Sequence, residues 1–185
     1  MAYRPPWIDP RSIYIEGIHP AILEEKELLD GCEITFGRGS GPGGQHRNKV
    51  ESGVRIVHVE TGVESRATER REQRVNRSKA IFRLRMKLAT KVRTPIGRDN
   101  HQASVLWNQR RQGTKMPVSS TNHDYPALLA EALDLIVARK YDVAGAAGQL
   151  QITMSQLTRL LRHEKHVFAR VNEGRESVGL PRLRS

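Results

Sequence analysis

Cysteine is almost missing from this chain of 185 residues: Cys32 stands alone. No internal disulfide can close and no cysteine-based zinc site can be built, so redox and metal scaffolding are both excluded. Cys32 itself reads as a small buried apolar residue. No apolar run reaches the length of a membrane span, so no membrane partner is expected. The segment Met1 to Pro10 has no apolar leader core, and its prolines and Asp9 do not suit an amphipathic transit peptide, so a cytoplasmic location is expected. The seven histidines show no His-x-x-x-His spacing, and no Ser-His-Asp or Cys-His-Asn arrangement is suggested. Neither a metal nor a cofactor is therefore expected. What remains is an ordinary globular mixture, 37% hydrophobic and 28% charged, long enough for one moderate core or one core plus a small helical module.

The charge is distributed unevenly. The chain carries a net +11, and residues 31–95 alone hold 15 basic against six acidic residues, whereas residues 1–30 are net acidic. A concentrated basic segment is the footprint of a polyanion, because each phosphate neutralised releases a condensed counterion. Nucleic acid is the leading partner; a solvated basic face is the alternative.

The pattern of elements predicts an α+β fold: a small domain of a few antiparallel strands packed on a long helix, followed by a small all-α module resembling a helix-turn-helix. Residues 1–30 read as an N-terminal extension, with a short helix over Ala21–Leu29 after Pro20. Residues 31–95 form the α+β domain. Glu33–Phe36 is a strand leading into a glycine-rich loop, Gly53–Val59 alternates as a second strand, and Val63–Ala67 is its hairpin partner after the turn at Glu60-Thr61-Gly62. From Glu69 to Val92 there is no Gly or Pro, and Val75, Ala80, Ile81, Leu84 and Leu88 fall at helical spacing. Residues 96–122, with Pro95 just ahead of them and Gly97, Gly113 and Pro117 within, read as a linker with a short helix around Trp107. Residues 123–185 read as helices: Asp124 caps one bearing Leu128, Leu129, Leu133, Ile136 and Val137, and Asp142 caps a second with Ala146, Ala147 and Leu150. A turn at Gln151–Thr153 leads to a third with Leu157, Leu160 and Leu161. The order resembles a Fis-type helix-turn-helix, except that Gln151 stands where glycine is common. A helical bundle that touches no nucleic acid fits the same pattern.

The most specific segment is Ser40-Gly41-Pro42-Gly43-Gly44-Gln45-His46-Arg47-Asn48-Lys49. Pro42 sets one backbone angle, Gly43 and Gly44 release the next two, and Gln45 follows directly. No Walker Lys-Thr pair follows, so this is no nucleotide cradle. Glutamine cannot titrate; its amide can only orient water or exchange hydrogen bonds.

With these residues, and with Arg38, Ser52, Val54-Arg55-Ile56, His58, Thr61-Gly62, Arg71, Gln73, Asn76, Arg77, Lys79 and Ala80, residues 31–95 resemble the peptidyl-tRNA hydrolysis domain of bacterial class I peptide chain release factors and their ribosome-rescue relatives. The resemblance implies a loop that enters the ribosomal peptidyl transferase centre and directs water onto the ester between nascent peptide and tRNA. Gly43, Gly44 and Gln45 would be catalytic, with the backbone N–H of Gln45 facing the reacting ester. Ser40, Gly41, Pro42 and His46 would shape the loop. Arg38, Arg47, Asn48, Lys49, Arg71, Gln73, Asn76, Arg77 and Lys79 would meet rRNA or tRNA; for any single cation a solvated role fits as well. Ala67-Thr68 and Arg70-Arg71 depart from the family's usual Cys-Gln and Glu-Arg, and Arg47 replaces a common valine. The partners implied are the rRNA of the peptidyl transferase centre and P-site peptidyl-tRNA, with the chain acting as a monomer.

Thirty residues upstream of the loop domain cannot hold a codon-reading domain, and neither a Pro-x-Thr nor a Ser-Pro-Phe tripeptide occurs. Codon-independent release on stalled ribosomes is the preferred expectation. A helix-turn-helix regulator with an inactive loop domain, and a specialised release factor that needs a decoding partner, are the alternatives.

Overall fold

A computed structural model of the chain describes residues 4–37 and 51–184. In chain order the elements are strand β1 (Ile13–Tyr14), a 3₁₀ turn (Pro20–Ile22), helix α1 (Glu25–Asp30), strands β2 (Cys32–Gly37), β3 (Gly53–His58) and β4 (Glu64–Ala67), helix α2 (Gln73–Lys91), strand β5 (Val92–Arg93), and helices α3 (Val105–Arg110), α4 (Tyr125–Ala138), α5 (Val143–Gln149), α6 (Met154–Arg162) and α7 (Lys165–Ser177). The fold is α+β, as the sequence pattern predicts. Packing divides the chain into two units, residues 23–88 and residues 1–22 with 89–185.

In the first unit β2, β3 and β4 form an antiparallel sheet in that order. Register places Phe36, Val54 and Ala67 in one row and Ile34, Ile56 and Ser65 in the next, so one face collects the apolar side chains. Helix α2 covers this face with Ala80, Ile81, Leu84 and Leu88, all buried. Ser65 Oγ donates to Ala80 O at 2.7 Å and ties sheet to helix. Fully burying a leucine or isoleucine stabilises by about 1.5–3 kcal/mol, so Ile56, Leu84 and Leu88 dominate this small core. The helix begins at Gln73 rather than at Glu69. Both the N–H and the C=O of Arg70 are bonded to the Asn76 side chain, which takes them out of a helical ladder.

The second unit is helical, with a two-residue parallel pairing of β1 and β5 at its margin. Eleven residues of α4 are buried, which makes it the central helix of this core. Asp142 caps α5 by accepting from Gly145 N at 3.0 Å, and Thr153 caps α6 by accepting from Gln156 N at 3.2 Å. Between them Gln151 adopts φ +56°, the left-handed conformation that glycine takes without strain. The expected cap at Asp124 is replaced by another contact: its carboxylate accepts from Arg110 Nε at 2.6 Å and makes no capping bond. Helix α7 is absent from the sequence expectations, because its buried side includes Asn172 and Arg175 beside Val167 and Val171, which blurs the apolar stripe. Gly174 lies under the Tyr141 ring, where any Cβ would sit 2.2 Å from ring carbons.

Of the extension expected over residues 1–30, residues 4–22 pack into this same unit, and so do residues 96–122, expected as a linker. Trp7 Nε1 donates to Val137 O and Trp107 Nε1 to Leu150 O, both at 2.9 Å. Trp107 is completely buried. An ion pair lies in the interior: Arg93 Nη1 donates to Asp134 Oδ1 at 2.8 Å, with both side chains 5% exposed or less. The same carboxylate accepts from Thr94 N and Thr94 Oγ1 at 3.3 and 2.5 Å. No helix among the described residues is long and apolar enough to cross a membrane.

Candidate functional site

Residues 38–50 lie outside the described residues, and with them Arg38, Ser40 to His46, Arg47, Asn48 and Lys49. The site is therefore built from the two ends of that segment. β2 ends at Gly37 and β3 begins at Gly53, and these two are paired across the ladder, so the intervening segment leaves and returns at one rung of the sheet. A Cβ on Gly53 would stand 2.8 Å from Gly37 O and 3.0 Å from Thr68 Cγ2. Only glycine lets the three strand ends close this tightly.

The returning end is fastened by two amides from the start of α2. Gln73 Nε2 donates to Glu51 O at 2.9 Å, and Asn76 Nδ2 donates to Ser52 O at 2.7 Å. Asn76 also donates to Arg70 O at 2.8 Å and accepts from Arg70 N at 2.9 Å. Asn76, expected as an RNA contact, is fully buried, and its side chain fastens the base of the loop to α2. Buried backbone groups bonded to one side chain leave several unsatisfied partners when it is lost. Asn76→Ala is therefore expected to destabilise the unit of residues 23–88 by about 2–3 kcal/mol. Faster amide hydrogen exchange across β3 checks this; unchanged protection would mean the clip carries no weight.

The remaining expected RNA contacts are spread along the helical side. Arg71 and Gln73 are exposed, and Lys79 is half-buried. Arg77 Nη1 pairs with Glu25 Oε1 at 3.1 Å, both side chains being substantially exposed, so the contact is weak and leaves the guanidinium open to solvent. Arg83 pairs with Glu69 at 2.5 Å and Arg55 pairs with Glu64 across the strands. The outer face of the sheet adds residues that sequence reasoning passed over. A shallow depression of about 260 Å³ beside the base of the loop is lined by Thr35, Gly37, Gly53, Arg55 and Arg66. Alternation along β4 is the signal that would have placed Arg66 there, on the face opposite α2.

Of the residues that frame the loop base, Glu51 alone is ionisable; Gly37, Ser52, Gly53, Thr68, Gln73 and Asn76 are not. His58 stands at the far end of β3, where burial holds its imidazole below the usual histidine range against the opposing pull of Glu60. Its Nδ1 lies 2.9 Å from Thr61 Oγ1, which marks it as part of the β3–β4 turn. The described part of the site thus holds backbone in place, with Glu51 as its one carboxylate.

The helix-turn-helix resemblance has a second geometric outcome. In such motifs the N-terminal end of the second helix enters a groove and reads base edges. Here the tight turn Gln112–Lys115 and the residue after it pack against one side of that end, while Thr153, Met154 and Ser155 stay exposed. Thr153 N donates to Thr114 O at 3.1 Å, and Met116 N donates to Gln156 Oε1 at 3.3 Å. Met116 is buried there.

The chain matches the model of the RF-1 domain over residues 25–123, more than half its length. It is 30% identical over 145 residues to peptide chain release factor 1 of Leptospira biflexa, a match covering 68% of this chain and 41% of that protein. It is 40% identical over 87 residues to peptide chain release factor 1 of Acidiphilium cryptum, covering 44% and 25%. Over 59 residues it is 52% identical to the chloroplastic peptide chain release factor PrfB1 of Arabidopsis thaliana, covering 32% and 13%. The chain therefore spans less than half the length of these relatives.

Proposed function

Because the chain belongs to the RF-1 domain family, whose relatives compared above are peptide chain release factors, we propose that it hydrolyses the peptidyl-tRNA ester on the ribosome, and does so without reading a codon. The observation that carries the reading is the segment Gly41-Pro42-Gly43-Gly44-Gln45 set between Gly37 and Gly53, a rung closed by glycine and fastened through Gln73 and Asn76.

In this reading Gly43 and Gly44 let the backbone approach the ester without side-chain obstruction. The N–H of Gln45 stabilises the oxyanion that forms as water attacks, and the Gln45 amide orients that water. No side chain takes the proton in this reading, since glutamine has no titratable group. The exposed cations of α2, with Arg55 and Arg66, supply attraction to rRNA and tRNA phosphates. The ribosome and its P-site peptidyl-tRNA are thus the partners. Neither a Pro-x-Thr nor a Ser-Pro-Phe tripeptide occurs in these 185 residues, and the release assay decides whether a codon matters. The segment beyond the family match builds a helical core.

The test is single-turnover peptide release from ribosomes holding peptidyl-tRNA, programmed with no codon, a sense codon or a stop codon in the A site. Comparable release on all three is expected. Release confined to stop codons would sink the codon-independent reading, and no release on any would sink the hydrolase reading.

A further inference from the structure

Beyond the family match, the corner between α6 and α7 gathers cations that no carboxylate compensates. Helix α6 buries Leu157, Leu160 and Leu161 on one side, so Ser155, Arg159 and Arg162 face outward. The chain turns at His163-Glu164 and enters α7 through Lys165 and His166, both exposed. Arg162 Nη2 donates to Arg184 O at 3.1 Å, which brings exposed Arg184 alongside the same corner. The Arg162 guanidinium also lies over the Phe168 ring, 5.7 Å from its centroid. A carbonyl and a ring hold this guanidinium in place without neutralising it. Among the described residues Arg159, Arg162, Lys165 and Arg184 make no ion pair, whereas nearby Arg182 is paired with Glu176 at 2.9 Å. Glu164, the one acidic residue of the turn, lies 3.6 Å from His166.

We propose that this corner binds RNA through its phosphodiester backbone. A pre-positioned guanidinium suits a phosphate, which accepts two parallel N–H bonds from its fork. The cations stand in the last turn of α6 and at the start of α7, away from the N-terminal end that would read bases. Contact of this kind goes to phosphates and positions a chain without reading sequence. The choice of RNA over DNA rests on the ribosomal reading above. The corner would then hold the helical unit on a ribosomal RNA surface while the loop of the other unit acts.

The test uses the full chain, a short RNA duplex of arbitrary sequence and the DNA duplex of the same sequence. Binding is followed by anisotropy over a range of salt concentrations. The wild-type chain is expected to prefer the RNA duplex, with affinity falling steeply as salt rises. The variant Arg159→Gln/Arg162→Gln/Lys165→Gln is expected to lower the slope of log affinity against log salt by about 2 to 3, near one for each cation removed. Arg159→Lys/Arg162→Lys keeps the charge and is expected to keep the slope. Should the triple variant lose its folded circular dichroism, single glutamine variants, each lowering the slope by about one, answer the same question. An unchanged slope in the glutamine variants overturns the proposal, and so does a wild-type preference for the DNA duplex. The duplex contains no peptidyl ester, so a chain that binds it through this corner yet releases no peptide would overturn the hydrolase reading and leave this one standing.

Discussion

Replacing Gly44 with alanine is expected to lower single-turnover peptide release by about 10²- to 10³-fold, the loss typical when one oriented oxyanion donor is displaced. The substitution adds a single methyl group, so the size of the effect depends on where that group sits. Glycine reaches backbone conformations that a Cβ closes, and the proposed chemistry needs the N–H of Gln45 aimed at the ester. Alanine at 44 narrows the conformations available to the peptide that carries this N–H. Gln45→Ala is the informative companion. It removes the amide that orients water but keeps the backbone donor, so its loss should be smaller than that of Gly44→Ala. Ribosome binding, measured by co-sedimentation, should survive in both, because the cations on α2 are untouched. Full release by Gly44→Ala would show that the loop is not the catalytic element. A larger loss for Gln45→Ala would move the chemistry from backbone to side chain.

Asp134→Ala should reduce the stability of the helical unit by about 3–5 kcal/mol, the usual consequence of removing one partner of a buried pair. Arg93 would be left charged in the interior, where burial already pushes its guanidinium down against the opposing influence of Asp134. Its other contact, from Nη2 to Ala89 O, is to a neutral carbonyl. Thr94 would lose both hydrogen bonds to the carboxylate. Denaturant unfolding followed by tryptophan fluorescence measures this cleanly, since Trp7 and Trp107 both belong to the helical unit and residues 23–88 contain no tryptophan. The double variant Arg93→Met/Asp134→Leu should recover most of the loss, because an apolar pair of similar volume needs no compensation. A loss under about 1 kcal/mol in Asp134→Ala would mean that Arg93 reaches water or a second acceptor on relaxation.

The two variants separate what local pattern reveals from what it conceals. The strands Cys32–Gly37 and Gly53–His58 follow from alternation, and α2 from the spacing of Ala80, Ile81, Leu84 and Leu88, because period-two and period-3.6 patterns are written by one buried face. The caps at Asp142 and Thr153 are equally local. Asn76 shows the opposite case. As a polar residue on a basic helix it reads as an RNA contact, and only the return of Ser52 beside it turns it into a buried clip. Helix α7 was illegible for a related reason: Arg175 is buried because Tyr141 O and Pro181 O accept from it, and neither partner is signalled by its neighbours.

By itself the sequence determined the chemistry proposed for the loop, since Gly43, Gly44 and Gln45 would act through the absence of side chains and a nontitrating amide, properties that need no neighbour to define them. It also determined the α+β sheet-and-helix unit that carries the loop. Tertiary structure alone decided that residues 1–22 and 89–122 share a core with 123–185, through contacts such as Trp7 with Val137 and Arg93 with Asp134. It likewise decided which cations meet at the corner between α6 and α7. Such contacts join residues far apart in the chain, and a polar side chain becomes anchor or ligand according to the partner that folding brings to it.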